Sequence, residues 1–288
     1  MKLALGTAQF GLTYGVANAT GQVTKAEVKK IMIAAKIAGI NTLDTAMNYG
    51  DSEEYLGEVG VNDWSVITKL PGLPSNTIEI EKWVNNQLER SFERLGISKV
   101  YGLMFHKQNQ LLDNKSNILW KILNKLKNQG LIEKIGYSVY EPIELERFVL
   151  DFPPDIIQAP YSILDRRLKQ SGWLSRLRSN GTEIHARSVF MQGLLLMDKK
   201  ERPKKFNRWE NFWLIWEQFL KNKKLSALEA CLSFVNNEKE IDKIVVGVDS
   251  LKQFNQILKC RNFDQLDFPR ELEKLDINLL NIPNWNNL

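Results

Sequence analysis

One repeated alternation constrains this chain more than any other feature. Eight short apolar or β-branched runs, KLALG (2–6), NTLD (41–44), SVITK (65–69), VYGLMFH (100–106), KIGYS (134–138), DIIQ (155–158), TEIHARS (182–188) and DKIVVG (242–247), are separated by longer segments with helical spacing. In TKAEVKKIMIAAKIAG, for example, Val28, Ile31, Met32 and Ala35 recur at three- and four-residue intervals, and Gly39 supplies a stop. Strands that read as nearly continuous apolar runs are buried on both faces, which is the condition of parallel strands covered by helices. Eight such units predict an α/β fold, a single-domain (β/α)8 TIM barrel over residues 1–288 with a tail at about 262–288. A doubly wound open sheet is the alternative. No GxGxxG follows a strand, which counts against its dinucleotide-binding form.

The 288 residues are 43% apolar and 25% charged, an ordinary globular balance with enough length for one large barrel. A formal charge of only +5, spread along the chain, gives no clustered basic face for nucleic acid. Cys231 and Cys260 stand apart, without CxxC spacing or a nearby histidine, so they are expected to be inert thiols, with no metal site and no disulfide. The start MKLALGTAQF is too short and too interrupted for a signal-peptide core, and no long uninterrupted apolar stretch exists, so a cytoplasmic protein without membrane contact is expected. Between strands seven and eight, KKERPKKFNR is expected as an exposed basic loop and WENFWLIWEQF as a helix whose aromatics pack inward. The end NLLNIPNWNNL, with Trp285, is expected to fold back over an opening.

Active sites of parallel barrels lie at the C-terminal strand ends, and the residues closing these strands are polar: Asp44 with Tyr49 in the next turn, Lys69, His106, Ser138, Gln158 and Arg187. Each alone has an ordinary structural use, as a helix cap, a rim charge or a satisfied core histidine. Together they make a site for polarising a carbonyl. A phenol is a weak acid unless a cation steadies its anion, and Lys69 is that cation for Tyr49. Asp44 keeps the lysine charged, and a neutral His106 N–H holds a substrate carbonyl in line. A hydride to the carbonyl carbon must then come from a cofactor, because side chains supply none. Metal-assisted hydrolysis needs clustered histidines, and this chain has two, far apart.

The segments GTAQFG (6–11), LDTAMNYGDSEEYLG (43–57), ITK (67–69), MFHK (104–107), IGYS (135–138), IIQAPYS (156–162) and VVGVDSLKQF (245–254) resemble those of the aldo-keto reductases over nearly the whole chain. The resemblance implies an NADPH-dependent barrel enzyme reducing an aldehyde or ketone, with Tyr49 as proton donor, Lys69 and Asp44 tuning it, and His106 orienting the substrate. It further implies a cofactor held by Gly6, Thr7, Ser138, Gln158, Arg187, Ser188, Gly247, Ser250 and Gln253, with the carboxamide against Ser138 and Gln158. NADH stays open as cofactor, because Asp249 sits where a 2′-phosphate would want a cation, with Lys252 nearby.

Departures from the family pattern are Val139 in place of an asparagine, Arg187-Ser188-Val189-Phe190 in place of a run with a stacking tyrosine, and Ile257 in place of a second asparagine. Arg187 is expected either to stack on the nicotinamide or to meet a phosphate. The numbering starts at the first barrel strand, so the hairpin that plugs many such barrels is not expected. The loops thought to choose the substrate are Thr13 to Gly21, residues 195–210 and the tail, whose mixed polar and aromatic character suits a sugar-like carbonyl. A cofactor-binding redox sensor on the same fold is the alternative function. Oligomeric state is not legible here.

Overall fold

The computed structural model describes residues 2–112, 114–260, 265–273 and 276–288. Its strands are Leu3–Gly6 (β1), Thr42–Asp44 (β2), Ser65–Leu70 (β3), Val100–Phe105 (β4), Ile132–Ser138 (β5), Ile156–Pro160 (β6), Glu183–Arg187 (β7) and Lys243–Gly247 (β8). Each pairs in parallel with the next, and β8 returns to β1 with Leu3 opposite Ile244 and Gly6 opposite Gly247, which closes the barrel. Every expected strand is present, with ends shifted by two residues or fewer. His106 and Ser188 fall just beyond β4 and β7, in the loops at the C-terminal mouth.

The helices form where the sequence supplies both an apolar face and a cap. In Lys25–Ile37, Thr24 accepts a hydrogen bond from the Glu27 amide, and Val28, Ile31, Met32 and Ala35 are buried against the barrel. In Ala227–Asn236, Ser226 and Glu229 cap each other's amides reciprocally. The aromatic helix Glu210–Lys223 buries Phe212, Trp213, Trp216 and Phe219. The basic segment before it is not wholly exposed as expected: Arg202 is 7% exposed, stacks 3.8 Å from the Trp213 ring centroid and bonds Glu217. Its guanidinium gains more from an aromatic face and a carboxylate than from water.

The tail also differs from expectation where it is described; residues 262–264 and 274–275 lie outside the described residues. Trp285 is buried against Phe206, its indole N–H donates to the Leu279 carbonyl, and Lys205 donates to the Trp285 carbonyl. The tail is thus fastened to the helical layer and does not reach the mouth cavity described below. An indole with an apolar body and one donor is best satisfied in such a half-polar seam.

At the opposite, N-terminal end of the strands, side chains from β4, β5 and β7 meet across the lumen. Tyr101 Oη donates to Glu183 Oε2 at 2.5 Å, Lys134 donates to the same oxygen, and His185 Nε2 lies 2.6 Å from Glu183 Oε1. Above them Ile67, Met104 and Ile156 fill the axis. Among the described residues this polar cluster closes the barrel floor from within. Burial alone would raise the Glu183 pKa, but donors from His185, Lys134 and Tyr101 bring it down to about 2. A depressed carboxylate stabilises the fold above its unfolded value, and that contribution drains away as pH falls toward 2. Glu183→Gln should therefore cost about 3 kcal/mol at neutral pH. Its unfolding midpoint should lie well below wild type at pH 7, with the gap shrinking as pH falls from 5 to 3. Equal midpoints at pH 7, read by circular dichroism, would refute the assignment.

Candidate active site

Tyr49 is placed by two glycines. A Cβ on Gly11 would sit 1.7 Å from the Tyr49 carbonyl oxygen, and one on Gly50, whose φ is +51°, would sit 2.2 Å from the Gly11 carbonyl oxygen. Only bare backbone permits this approach, so the turn after β1 and the turn carrying Tyr49 are locked together. The lock is extended by Ser52, whose hydroxyl donates to the Thr7 carbonyl at 3.0 Å and to Thr7 Oγ1 at 2.8 Å. Thr7 Oγ1 in turn donates to the Asp44 carbonyl at 3.1 Å. Thr7, expected at the cofactor, spends its hydroxyl on bracing the end of β2.

Behind Tyr49 lies a buried charge pair. Lys69 Nζ donates to both Asp44 carboxylate oxygens at 2.9 and 2.8 Å and to the Thr45 carbonyl at 2.8 Å. Gln158 Nε2 adds a bond to Asp44 Oδ1 at 2.7 Å. The ammonium stands 5.2 Å from the centroid of the Tyr49 ring. Burial first, and the Asp44 charge second, push the Tyr49 phenol well above its ordinary value, while the Arg187 cation pulls the other way. The phenol is thus fully protonated at neutral pH, and all three lysine N–H groups are already engaged.

His106 packs edge-on against Tyr49, with centroids 5.6 Å apart. Burial, and after it the Lys69 cation, lower its pKa to about 4, so the ring is neutral at physiological pH. Its Nδ1 lies 2.9 Å from Asn48 Oδ1, a pairing that makes Nδ1 the donor and leaves Nε2 with a lone pair. Turning the Asn48 amide reverses both, so amide orientation and imidazole tautomer are set together. Asn48 was not singled out in the sequence; its place directly before Tyr49 was the available signal.

Gly6, Thr7, Asp44, Tyr49 and Gln158 line one cavity of about 640 Å³ at the C-terminal mouth. Arg187, Ser188, Gly247 and Gln253 line it too. Lys69 is reached through Asp44, His106 through Tyr49, and Ser138 through Arg187, whose Nε donates to Ser138 Oγ at 3.3 Å. Ser250 is not in the lining; it caps the helix Leu251–Lys259 by accepting from the Gln253 amide. Of the expected selectivity loops, Tyr14 to Ala19 and Leu196, Met197 and Glu201 line the cavity. The first crosses toward the other side, with the Ala17 amide on the Gln192 carbonyl and Asn18 Nδ2 on Asp249 Oδ1. After β7 the backbone holds positive φ at Ser188, Met191, Gln192 and Gly193. Such conformations are costly outside glycine and cluster at ligand sites.

A parallel eight-stranded barrel with an Asp, Tyr, Lys and His grouped at its mouth defines a class, and comparison with known proteins places the chain within it. Residues 2–276 match the model of the Aldo/keto reductase family, and the chain belongs to that family. It is 27% identical over 190 residues to the NADH-specific methylglyoxal reductase of Escherichia coli strain K12, a match spanning 57% of this chain and 56% of that one. The chain thus spans about half the length of such curated relatives. A longer match, 26% identical over 299 residues and covering 88% of this chain and 89% of the other, is to D-threo-aldose 1-dehydrogenase of a Pseudomonas species. Among solved structures, the holo form of aldo-keto reductase AKR11C1 from Bacillus halodurans shares the fold, with a TM-score of 0.71 and 17% identity over 94% of this chain and 89% of that one. No helix among the described residues is long and apolar enough to cross a membrane.

Proposed function

We propose that the chain is a nicotinamide-dependent oxidoreductase that reduces an aldehyde or ketone to an alcohol, with Tyr49 as proton donor. The observation that carries this reading is the protonated, half-buried phenol of Tyr49 set over the Asp44–Lys69 pair and against a neutral His106, at the edge of a cavity large enough for a dinucleotide. A nicotinamide, when bound, would supply the hydride that side chains cannot.

The protein's own residues handle the oxygen. His106 is uncharged, so it orients the carbonyl and leaves protonation to Tyr49; the amide orientation of Asn48 that frees Nε2–H is the one this task requires. As negative charge grows on the oxygen, Tyr49 releases its proton. The Lys69 ammonium, about 5 Å from the ring in a site shielded from water, steadies the phenolate that remains. Asp44 holds that ammonium in place, and Gln158 holds Asp44.

The cofactor fits the groove's backbone. Gly6 and Gly247 line the cavity at the β1 and β8 ends, where the Gln9 amide packs against Gly247, and the amides of Gln192 and Gly193 make no hydrogen bond with the described residues, so they are available to phosphate oxygens. Ser138, Gln158 and Ser188 stand at the nicotinamide end. Gln253 stands at the adenosine end, where Asp249, Asn18 and Gln256 also line the wall and no Lys or Arg does. Family resemblance alone suggests NADPH, but a carboxylate without a neighbouring cation suits a ribose 2′-hydroxyl better than a 2′-phosphate. The name of the Escherichia coli relative, NADH-specific, runs in the same direction.

Titration of tryptophan fluorescence with NADH and with NADPH, followed by cofactor oxidation on an aldehyde panel, tests the reading. NADH should bind about tenfold or more tightly than NADPH, and Asp249→Asn should narrow the difference. Absence of binding by either dinucleotide would overturn it.

A further inference from the structure

Arg187 closes β7 inside the cavity, and none of its bonds goes to an acid. Its guanidinium lies over the Tyr140 ring, 4.4 Å from the centroid. Nη2 donates to the Val139 carbonyl at 2.9 Å, Nε to Ser138 Oγ at 3.3 Å, and Nη1 to Ser188 Oγ at 3.1 Å. A guanidinium has five N–H donors, so two remain without a partner among the described residues, one on each terminal nitrogen. Among the described residues no Asp or Glu lies within ion-pair distance of it, whereas the other Arg side chains near this rim, Arg166 and Arg167, each hold a carboxylate.

This arrangement is costly unless something repays it. A half-buried cation, fixed by an aromatic platform and three neutral acceptors, has lost much of its hydration and its freedom without gaining a counter-charge. What it has gained is preorganisation: a guanidinium held at one angle in the cavity wall, with one unused N–H on each terminal nitrogen, suited to an anion. The other acids of the cavity wall, Glu201 and Asp249, form no ion pair with it among the described residues. Lys69 already neutralises Asp44, and Lys107 adds positive character beside His106. Arg187 also acts electrostatically on both Tyr49 and His106, which places it at the reacting end of the cavity. The phosphates of a dinucleotide have other donors, the free amides of Gln192 and Gly193.

We propose that the substrate is an anionic carbonyl compound, an aldehyde or ketone carrying a carboxylate, and that Arg187 grips this carboxylate with its two free N–H groups while Tyr49 and His106 attend to the carbonyl. The inference rests on the reductase reading above and narrows its substrate class. Carboxylate is favoured over phosphate monoester because Arg187 is the only Lys or Arg among the cavity's lining residues, one positive charge for one negative. It also gives a use to the arginine at a β7 position expected to stack on the cofactor, which is braced by the Ser138 hydroxyl and the Val139 backbone carbonyl.

The test uses a matched pair, 4-formylbenzoate and 4-formylbenzamide, close in shape and different in charge. Wild-type protein should show kcat/KM about tenfold to a hundredfold higher for the acid, chiefly through KM. Arg187→Gln should bring the ratio to near one, and Arg187→Lys should restore part of it, since a point charge replaces a fork. In parallel, calorimetry with 4-(hydroxymethyl)benzoate, which needs no turnover, should show binding to wild type that Arg187→Gln abolishes, while thermal melts show both variants folded. Equal rates on the pair would overturn the proposal. So would a large loss of NADH affinity in Arg187→Gln with the acid preference kept, which would assign the guanidinium to the cofactor. If no carbonyl turns over at all, the reductase reading fails, and Arg187-dependent binding of the hydroxymethyl acid still decides the anion site.

Discussion

Tyr49→Phe should lower kcat by about a hundredfold to ten thousandfold and leave the NADH dissociation constant within about twofold, because it deletes one hydroxyl and little else. The ring stays packed edge-on to His106 and over Lys69, so its neighbours keep their places. Single-turnover and steady-state rates separate the outcomes. Full activity in the variant would remove Tyr49 from its role. Loss of cofactor affinity equal to the loss of rate would make the phenol a binding group. The pH profile carries a second signature: with the phenol held well above its ordinary value and His106 at about 4, wild-type activity should be flat from about pH 6 to 8, with no histidine step between.

The second large effect should come from breaking the Asp44–Lys69 pair one member at a time. In Lys69→Met the Asp44 carboxylate stays buried with Gln158 as its remaining donor, a loss of about 3–5 kcal/mol and a fall in thermal midpoint on the order of 10 °C. Activity should drop with it by about a thousandfold, since nothing then steadies the phenolate. The double variant Asp44→Asn with Lys69→Met discards both charges together. It should recover most of the midpoint and none of the rate. Recovery of both would mean that the pair acts only as scaffold; an unchanged midpoint in the single variant would mean that the charge is not dry. Calorimetry together with initial rates reads both at once.

The strands were legible because parallel strands, covered on both faces, leave uninterrupted apolar runs in the sequence, and their polar last residues stood out against that background. Asp44, Lys69 and His106 were legible for the same reason, and Tyr49 by its place in the turn that follows Asp44. What the sequence did not disclose was where each polar group spends its hydrogen bonds. Thr7 and Ser250 were singled out as cofactor residues, and the sequence did not disclose that the first also braces Asp44 and the second also caps a helix, uses fixed by partners remote in sequence or by backbone angles. The seat of Arg187 on Tyr140 joins residues from two separate strand ends, and the Tyr101, Lys134 and Glu183 cluster joins three strands. Neither pattern has a periodicity to betray it. Trp285 was expected over the mouth as an aromatic in an aperiodic tail; the deciding fact was a hydrophobic seam around Phe206 that local sequence does not display.

The two ends of this barrel carry separate responsibilities. On the readings proposed above, the charged knot at the floor serves stability in acid or heat, while turnover and selectivity belong to the rim at the other end of the strands. Inherited variation can therefore harden or soften the protein through Tyr101, Lys134, Glu183 and His185 without touching what it recognises, and can retune recognition through the rim loops without endangering the frame. A lineage with that division of labour is free to explore new substrates one loop at a time, and a laboratory seeking a sturdier catalyst would begin at the floor.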